Sequence, residues 1–200
     1  IGPEHLPPEV VGGTEGRQPA EAAVSLGQTE APPESVQEAL NWCRFLSSSP
    51  PPAGENTVIV TNGGGMGVMA ADACEKFGVP LMDDLRTLED TFSDAVPSFG
   101  SVKNPVDITG GASLEDYTRA LQAAMDRPDI HSVICLGCET ALFDVTRFSQ
   151  TMQDFHEASR GSKPLVFSFL GGAEISDGIR ELRSRGVPIF DDVYEAVACL

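Results

Sequence analysis

The run Thr57-Val58-Ile59-Val60-Thr61-Asn62-Gly63-Gly64-Gly65-Met66-Gly67 decides the fold. Its first five residues are apolar or β-branched with no in–out alternation, the mark of a strand buried on both faces. The glycines after it permit a tight turn and a close approach of backbone to a ligand. From about Gly67 to Phe77 the chain reads as a helix. A strand, a turn and a helix in that order open a βαβ unit, whose two strands lie parallel.

The same alternation runs outward in both directions. Upstream, Ser35-Val36-Gln37-Glu38 has capping-box spacing and opens a helix with Val36, Leu40, Cys43 and Leu46 as its apolar face. Pro50, Pro51 and Pro52 end it, because proline lacks the N–H and clashes with the preceding turn. Residues 1–34 are rich in Pro, Glu and Gly without an apolar period, and read as an acidic linker or irregular lead-in. Downstream, Val79 to Met82 reads as a strand, Leu85 to Ala95 as a helix, and Asn104-Pro105-Val106-Asp107-Ile108 as an extended segment. Ser113 opens a helix with Leu114, Tyr117, Leu121 and Met125 on one face. His131 to Leu136 is a buried-type strand, followed by a long helix from about Leu142 to Ser159. Leu165 to Phe169 and Val187 to Phe190 are further strands, with helices at Ile175 to Arg185 and Val193 to Leu200. Residues 35–200 are therefore expected to form one three-layer α/β sandwich, with a parallel sheet of about five strands covered by helices on both faces.

Composition narrows the partners. The chain has 13 basic residues against 30 acidic ones, a net charge of −17, and its only lysines are Lys76, Lys103 and Lys163. Such a surface repels nucleic-acid backbones and anionic membranes, so neither is expected as a partner. No stretch reaches the ~20 apolar residues that span a bilayer. Five scattered cysteines fit a reducing compartment better than a disulfide framework, and a cytoplasmic location is expected. The start, Ile1-Gly2-Pro3-Glu4-His5, has neither region of a signal peptide and no initiator Met, the expectation for a piece of a longer chain.

Three features carry candidate chemistry. Asn62, Gly63, Gly64, Gly65 and Gly67 lie between a strand and a helix start, where free N–H groups and the helix dipole hold anions. Gly65-Met66-Gly67-Val68-Met69-Ala70 also satisfies the loose dinucleotide fingerprint, with Asp83 and Asp84 about where a ribose-binding acid belongs, so an NAD-binding Rossmann domain is an alternative. No Gly-Lys-Ser/Thr follows, which excludes a P-loop, and glycines serving only a tight turn are the third reading. Cys135-Leu136-Gly137-Cys138 lacks a second cysteine pair or a nearby His, so two ordinary thiols are expected rather than a zinc site. Asp107 reads as a turn former accepting from the amides of Thr109 and Gly110, with a catalytic-loop acid as the alternative, and Asp72 as an i,i+4 partner of Lys76.

Several ordered stretches carry a resemblance. They are Val58 through Asp72, Asn104-Pro105-Val106-Asp107-Ile108-Thr109-Gly110-Gly111-Ala112, Tyr117 through Val133, Lys163-Pro164-Leu165-Val166, Gly171-Gly172-Ala173-Glu174 and Gly186-Val187-Pro188-Ile189-Phe190. Together they resemble the nucleoside-diphosphate-forming acyl-CoA synthetases, here in a flavodoxin-like ligase domain, with a weaker similarity to the β subunit of succinyl-CoA synthetase. The resemblance implies a domain that works beside a CoA-binding domain, a second flavodoxin-like domain and an ATP-grasp domain. The whole enzyme would interconvert acyl-CoA, ADP and phosphate with acid, CoA and ATP through a phosphohistidine, using CoA, ADP or ATP and Mg. It places the phosphohistidine in another domain, since His5, His131 and His156 lack its glycine-flanked setting, and no catalytic residue or metal ligand falls on this chain. The chain alone is then inactive. Its implied role is to dock the phosphohistidine loop with Asn62 to Gly67, Asp107, Gly110 and Gly111, and a helix start at Cys138 to Thr140. Glu139 stands in that helix start, where a carboxylate repels phosphate. A non-catalytic, synthetase-like regulatory region of a protein acetyltransferase is the alternative of a different class.

Overall fold

The computed structural model describes residues 33, 35–140 and 145–200, with the backbone alone at 145 and 146. The expected lead-in thus lies outside the described residues, apart from Pro33. Five strands form one parallel sheet in the order β2-β1-β3-β4-β5: β1 (Thr57–Thr61), β2 (Val106–Asp107), β3 (Ser132–Cys138), β4 (Leu165–Leu170) and β5 (Ile189–Phe190). The helices are α1 (Val36–Ser48), α2 (Gly64–Phe77), α3 (Leu85–Phe92), α4 (Leu114–Asp126), α5 (Val145–Ser159), α6 (Ala173–Ser184) and α7 (Val193–Val197).

Two cores flank the sheet. Val58, Val60, Val133, Cys135, Leu165 and Phe167 point to one face, where α3, α4, α5 and α6 bring Leu88, Phe92, Tyr117, Leu121, Phe148, Met152, Ile175 and Ile179. Ile59, Ile134, Leu136 and Val166 point to the other, against Phe45 of α1, Met66, Ala70 and Ala73 of α2, and Val193 and Val197 of α7. This is the three-layer parallel sandwich that the uninterrupted apolar strands predict. β1 pairs β3 in parallel with Thr57 opposite Ser132 and Thr61 opposite Leu136.

Three differences from the sequence reading stand out in the body of the domain. Val79 to Met82 forms no strand: a single parallel bridge joins Leu81 to Thr57, and the sheet position beside β1 goes to Val106–Asp107. Because β2 is so short, the Asn104 side chain completes the edge of β1. Its Oδ1 accepts from Ile59 N–H at 2.9 Å, and its Nδ2 donates to Thr57 O at 2.8 Å and Met82 O at 3.1 Å. On α1, the expected face is the wrong one. Ser35 does cap Glu38 N–H at 3.1 Å, but Val36 and Leu40 stand 78% and 54% exposed, Leu46 and Cys43 are exposed too, and the helix buries Asn41 and Phe45 instead. Phe45 fills the core formed by α2 and α7, and Asn41 Nδ2 donates to Glu195 Oε2 of α7 at 3.1 Å, so tertiary partners override the helix's own apolar stripe. Finally, Lys76 does not pair with Asp72; its ammonium lies 4.9 Å from the ring centre of Phe77 and 5.6 Å from that of Tyr194.

Two buried ionisable groups yield tests. Lys163, 8% exposed, ends α4 from outside by donating its Nζ to Ala124 O at 3.1 Å and Arg127 O at 2.6 Å. A cation there complements the helix's negative end, although burial lowers the ammonium's pKa. Lys163→Met leaves both carbonyls without that donor, and the urea midpoint should fall by an amount equivalent to about 1–3 kcal/mol at unchanged m. His156 is 3% exposed within α5, and its Nδ1 has no hydrogen-bond partner among the described residues. Burial first, then Arg160, hold its pKa below the usual 6.5. The unfolded chain therefore takes up this proton before the folded one does, so stability falls as pH drops through the ordinary histidine range. Melting His156→Gln beside the wild type from pH 8 to pH 5 should show a smaller acid loss in the variant.

Candidate docking edge

In this strand order the chain leaves β1 toward β2 on one side and returns to β3 on the other. The carboxyl ends of β1 and β3 thus flank the crevice at which open α/β sheets bind ligands. Asn62 sits in it, 2% exposed. Its Nδ2 donates to Cys138 O at 3.0 Å and its Oδ1 accepts from Cys138 N–H at 2.9 Å, carrying the β1–β3 ladder one step past Thr61 and Leu136. Both ends of the amide are engaged with the chain's own backbone, so Asn62 positions the edge.

The glycines divide by role. α2 begins at Gly64, not near Gly67, so Gly64 and Gly65 form its first turn and Gly63 is the N-cap, with extended backbone and no side-chain cap. A Cβ on Gly63 would come 3.1 Å from Cys138 Sγ, and one on Gly64 3.2 Å from Asp107 Oδ2. Gly67 is a packing glycine: its Cβ would meet Pro105 at 3.0 Å and Thr61 at 3.2 Å. Gly65 and Gly111 face open space, with nothing within 4 Å of an added Cβ. Left-handed backbone occurs instead at Thr109, with φ 74. Asp107 forms the expected turn there, its Oδ1 accepting from Thr109 N–H at 2.8 Å. The Thr109 hydroxyl is buried without a partner among the described residues.

The third turn departs from expectation. Cys138 is the last residue of β3 rather than a helix start, and α5 is described only from Val145, so of the residues that join them only Glu139 and Thr140 are described. Cys135 and Cys138 fall on opposite faces of the sheet, one in each core, which separates the two thiols. Thr140 Oγ1 is buried without a partner among the described residues. Glu139 turns its carboxylate onto another helix: Oε2 accepts from Gly172 N–H, the N-cap amide of α6, at 2.5 Å. Sequence reasoning missed this contact because it joins residues 33 apart. Below the edge, Tyr117 Oη donates to Leu136 O at 2.9 Å, and burial pushes its phenol well above the usual range.

Backbone N–H groups and two carboxylates therefore surround the crevice, and none of the residues expected there is a Lys or Arg. The two described histidines lie elsewhere. His131 precedes β3 at the amino edge and accepts from Asn56 N–H through Nδ1 at 3.1 Å, while His156 is interior to α5. His5 lies outside the described residues. Asp84, one of the two candidate ribose acids, instead caps α3 by accepting from Arg86 N–H at 3.1 Å and Thr87 Oγ1 at 2.8 Å.

Residues 57–200 match the model of the Ligase-CoA domain. The chain is 41% identical over 167 residues to the α subunit of acetate–CoA ligase [ADP-forming] I from Pyrococcus furiosus, covering 83% of this chain and 36% of that protein. It is 36% identical to acetate–CoA ligase [ADP-forming] I from Archaeoglobus fulgidus, covering 72% of this chain and 20% of that one. Among solved structures, the dinucleotide-forming acetyl-coenzyme A synthetase 1 of Candidatus Korarchaeum cryptofilum superposes with a TM-score of 0.77 at 30% identity, over 84% of this chain and 36% of that one. The same protein has been solved in complex with phosphate and ADP. The chain thus spans about a third or less of the length of these relatives. With the parallel sheet, the ordered motifs and the family match in agreement, this chain belongs to the Ligase-CoA domain family.

Proposed function

We propose that this chain is the docking domain of an ADP-forming acyl-CoA synthetase, and that the carboxyl edge of its sheet receives a phosphohistidine loop from another domain. The observation that carries the reading is the start of α2. It opens at the crevice between β1 and β3, has only the neutral Thr61 hydroxyl on its N-cap amide, Gly63 N–H, and presents Gly65 to open space. Amides there can hold phosphoryl oxygens through backbone N–H groups and the helix dipole, without a lysine. Thr109 and Thr140, each with a buried hydroxyl lacking a partner among the described residues, flank the same edge.

The division of labour follows from what the chain has. Its described histidines are buried or at the opposite edge, so the nucleophile comes from a partner domain. CoA, ADP and magnesium are assigned to the partner domains as well, since none of the edge residues named above carries a cationic side chain and the described residues hold no cluster of three metal-ligating groups. The partners supply the chemistry of acyl transfer and ATP formation. This chain supplies amides that orient a phosphoryl group, and a rigid sheet behind them. The assigned glycines suit a dinucleotide poorly, because Gly65 and Gly67 lie inside α2 and Asp84 is engaged on α3.

Two glycine substitutions separate docking from folding in the full-length protein. Gly65→Val enters open space at an exposed helical position where valine is at least as favourable as glycine, so the melting temperature should hold. The β-branched side chain then stands in the approach path, and ATP formation from acetyl-CoA, ADP and phosphate should fall by a hundredfold or more, on the order of losing one phosphoryl-positioning element. A folded Gly65→Val enzyme with full turnover overturns the reading. A wild-type protein without any such turnover points instead to a regulatory region. Gly67→Val meets Pro105 and Thr61 and should lower stability by about 1–3 kcal/mol, read from chemical denaturation.

A further inference from the structure

Glu139 ties two strand-end turns together. Its backbone N–H donates to Leu170 O at 2.8 Å, and its Oε2 accepts from Gly172 N–H at 2.5 Å. The second bond closes the start of α6, whose N-cap residue is a glycine with no side chain to do so. The fit is close. A Cβ on Gly171 would lie 2.7 Å from that carboxylate oxygen and 2.5 Å from Ile175 Cγ1, and one on Gly172 would lie 3.4 Å from the same oxygen. Gly171 leaves room for the carboxylate where a side chain would crowd it, while a Cβ on Gly172 would stand in ordinary contact with it. A carboxylate on a helix's first amides makes a charge-assisted hydrogen bond and offsets the dipole, which is also what an arriving phosphate would do. At α2 the corresponding N-cap amide, Gly63 N–H, donates to the neutral Thr61 hydroxyl at 3.1 Å, so no carboxylate offsets the dipole there.

We propose that Glu139 is a positioning residue that assigns where an anion binds on this edge. Its carboxylate fills the anion position of α6, holds the end of β3 and the β4–α6 turn at a fixed spacing, and leaves the start of α2 as the place for a phosphoryl group. The inference deepens the docking reading and rests on it for the identity of the arriving anion. It also removes the objection raised by the sequence, because the charge of Glu139 is matched by an α6 amide.

Titrating inorganic phosphate into the isotope-labelled 200-residue chain, at constant ionic strength made up with sodium chloride, tests this by amide NMR. In the wild type, phosphate should leave the Gly172 and Ala173 amides in place. In Glu139→Ala they should shift along a saturable curve, and Gly172 N–H exchange with solvent should rise about tenfold. Glu139→Gln keeps a neutral acceptor, so its Gly172 exchange should stay within about twofold of the wild type. The proposal is overturned if α6 amides respond to phosphate equally in the wild type and Glu139→Ala, or ignore it in both. Should Glu139→Ala not fold, Glu139→Gln decides: tenfold faster exchange at Gly172 there removes the positioning role. Gly64 and Gly65 report separately on the docking reading. Their silence, beside responsive α6 amides in Glu139→Ala, would end that reading and leave this one standing.

Discussion

β1 is buried along its whole length, so every N–H and C=O it carries needs a partner inside the protein. On one side β3 supplies a full parallel ladder. On the other, β2 reaches only Val60 and Thr61. The amino half of that edge is completed by Pro80, by Met82 and by the three hydrogen bonds of Asn104. Asn62 does the equivalent at the carboxyl end, toward β3. Two asparagine amides, each able to donate and accept at once, thus act as single-residue strands. The turns of the docking edge hang from this arrangement, because Asn62 and Asp107 directly follow or end the strands so joined.

The edge itself is built on backbone dipoles rather than on charged side chains. An acidic chain with few lysines has little else to offer a phosphoryl group. Asp107 and Glu139 would oppose an anion if their carboxylates were loose. Each is instead held by an amide of the chain, Thr109 in one case and Gly172 in the other.

Much of the fold is legible in the sequence because strand burial leaves a continuous apolar run that needs no long-range knowledge to recognise. The helix faces of α4 and the parallel sheet follow from periodicity alone, and Ser113 forms the full capping box with Asp116. What escapes is set by contacts distant in sequence. Leu81 would pair as a strand if Asn104 and Val106 did not claim the edge of β1, and nothing local records that competition. The α1 stripe of Val36, Leu40 and Leu46 has correct helical spacing, yet Phe45 finds the core. At the edge, sequence locates the turns after β1 and β2 but places a helix start at Cys138, which ends β3, and Asp107 forms the turn its residue type predicts. It does not distinguish the open glycines, Gly65 and Gly111, from the packed Gly67, because openness is a property of neighbours such as Pro105.

The pairing of β1 with β3 joins residues 75 apart, through Thr57 and Ser132, and the Asn62–Cys138 contact spans 76. Every other strand pair in the sheet closes a shorter stretch of chain. Closing the longest loop costs the most chain entropy, so the two halves of the sheet meet along the seam that is entropically hardest to form. That seam is also the crevice of the docking edge. A chain whose halves have each acquired their helices but not yet met there has no such crevice, and the edge comes into being only with the closure that completes the domain.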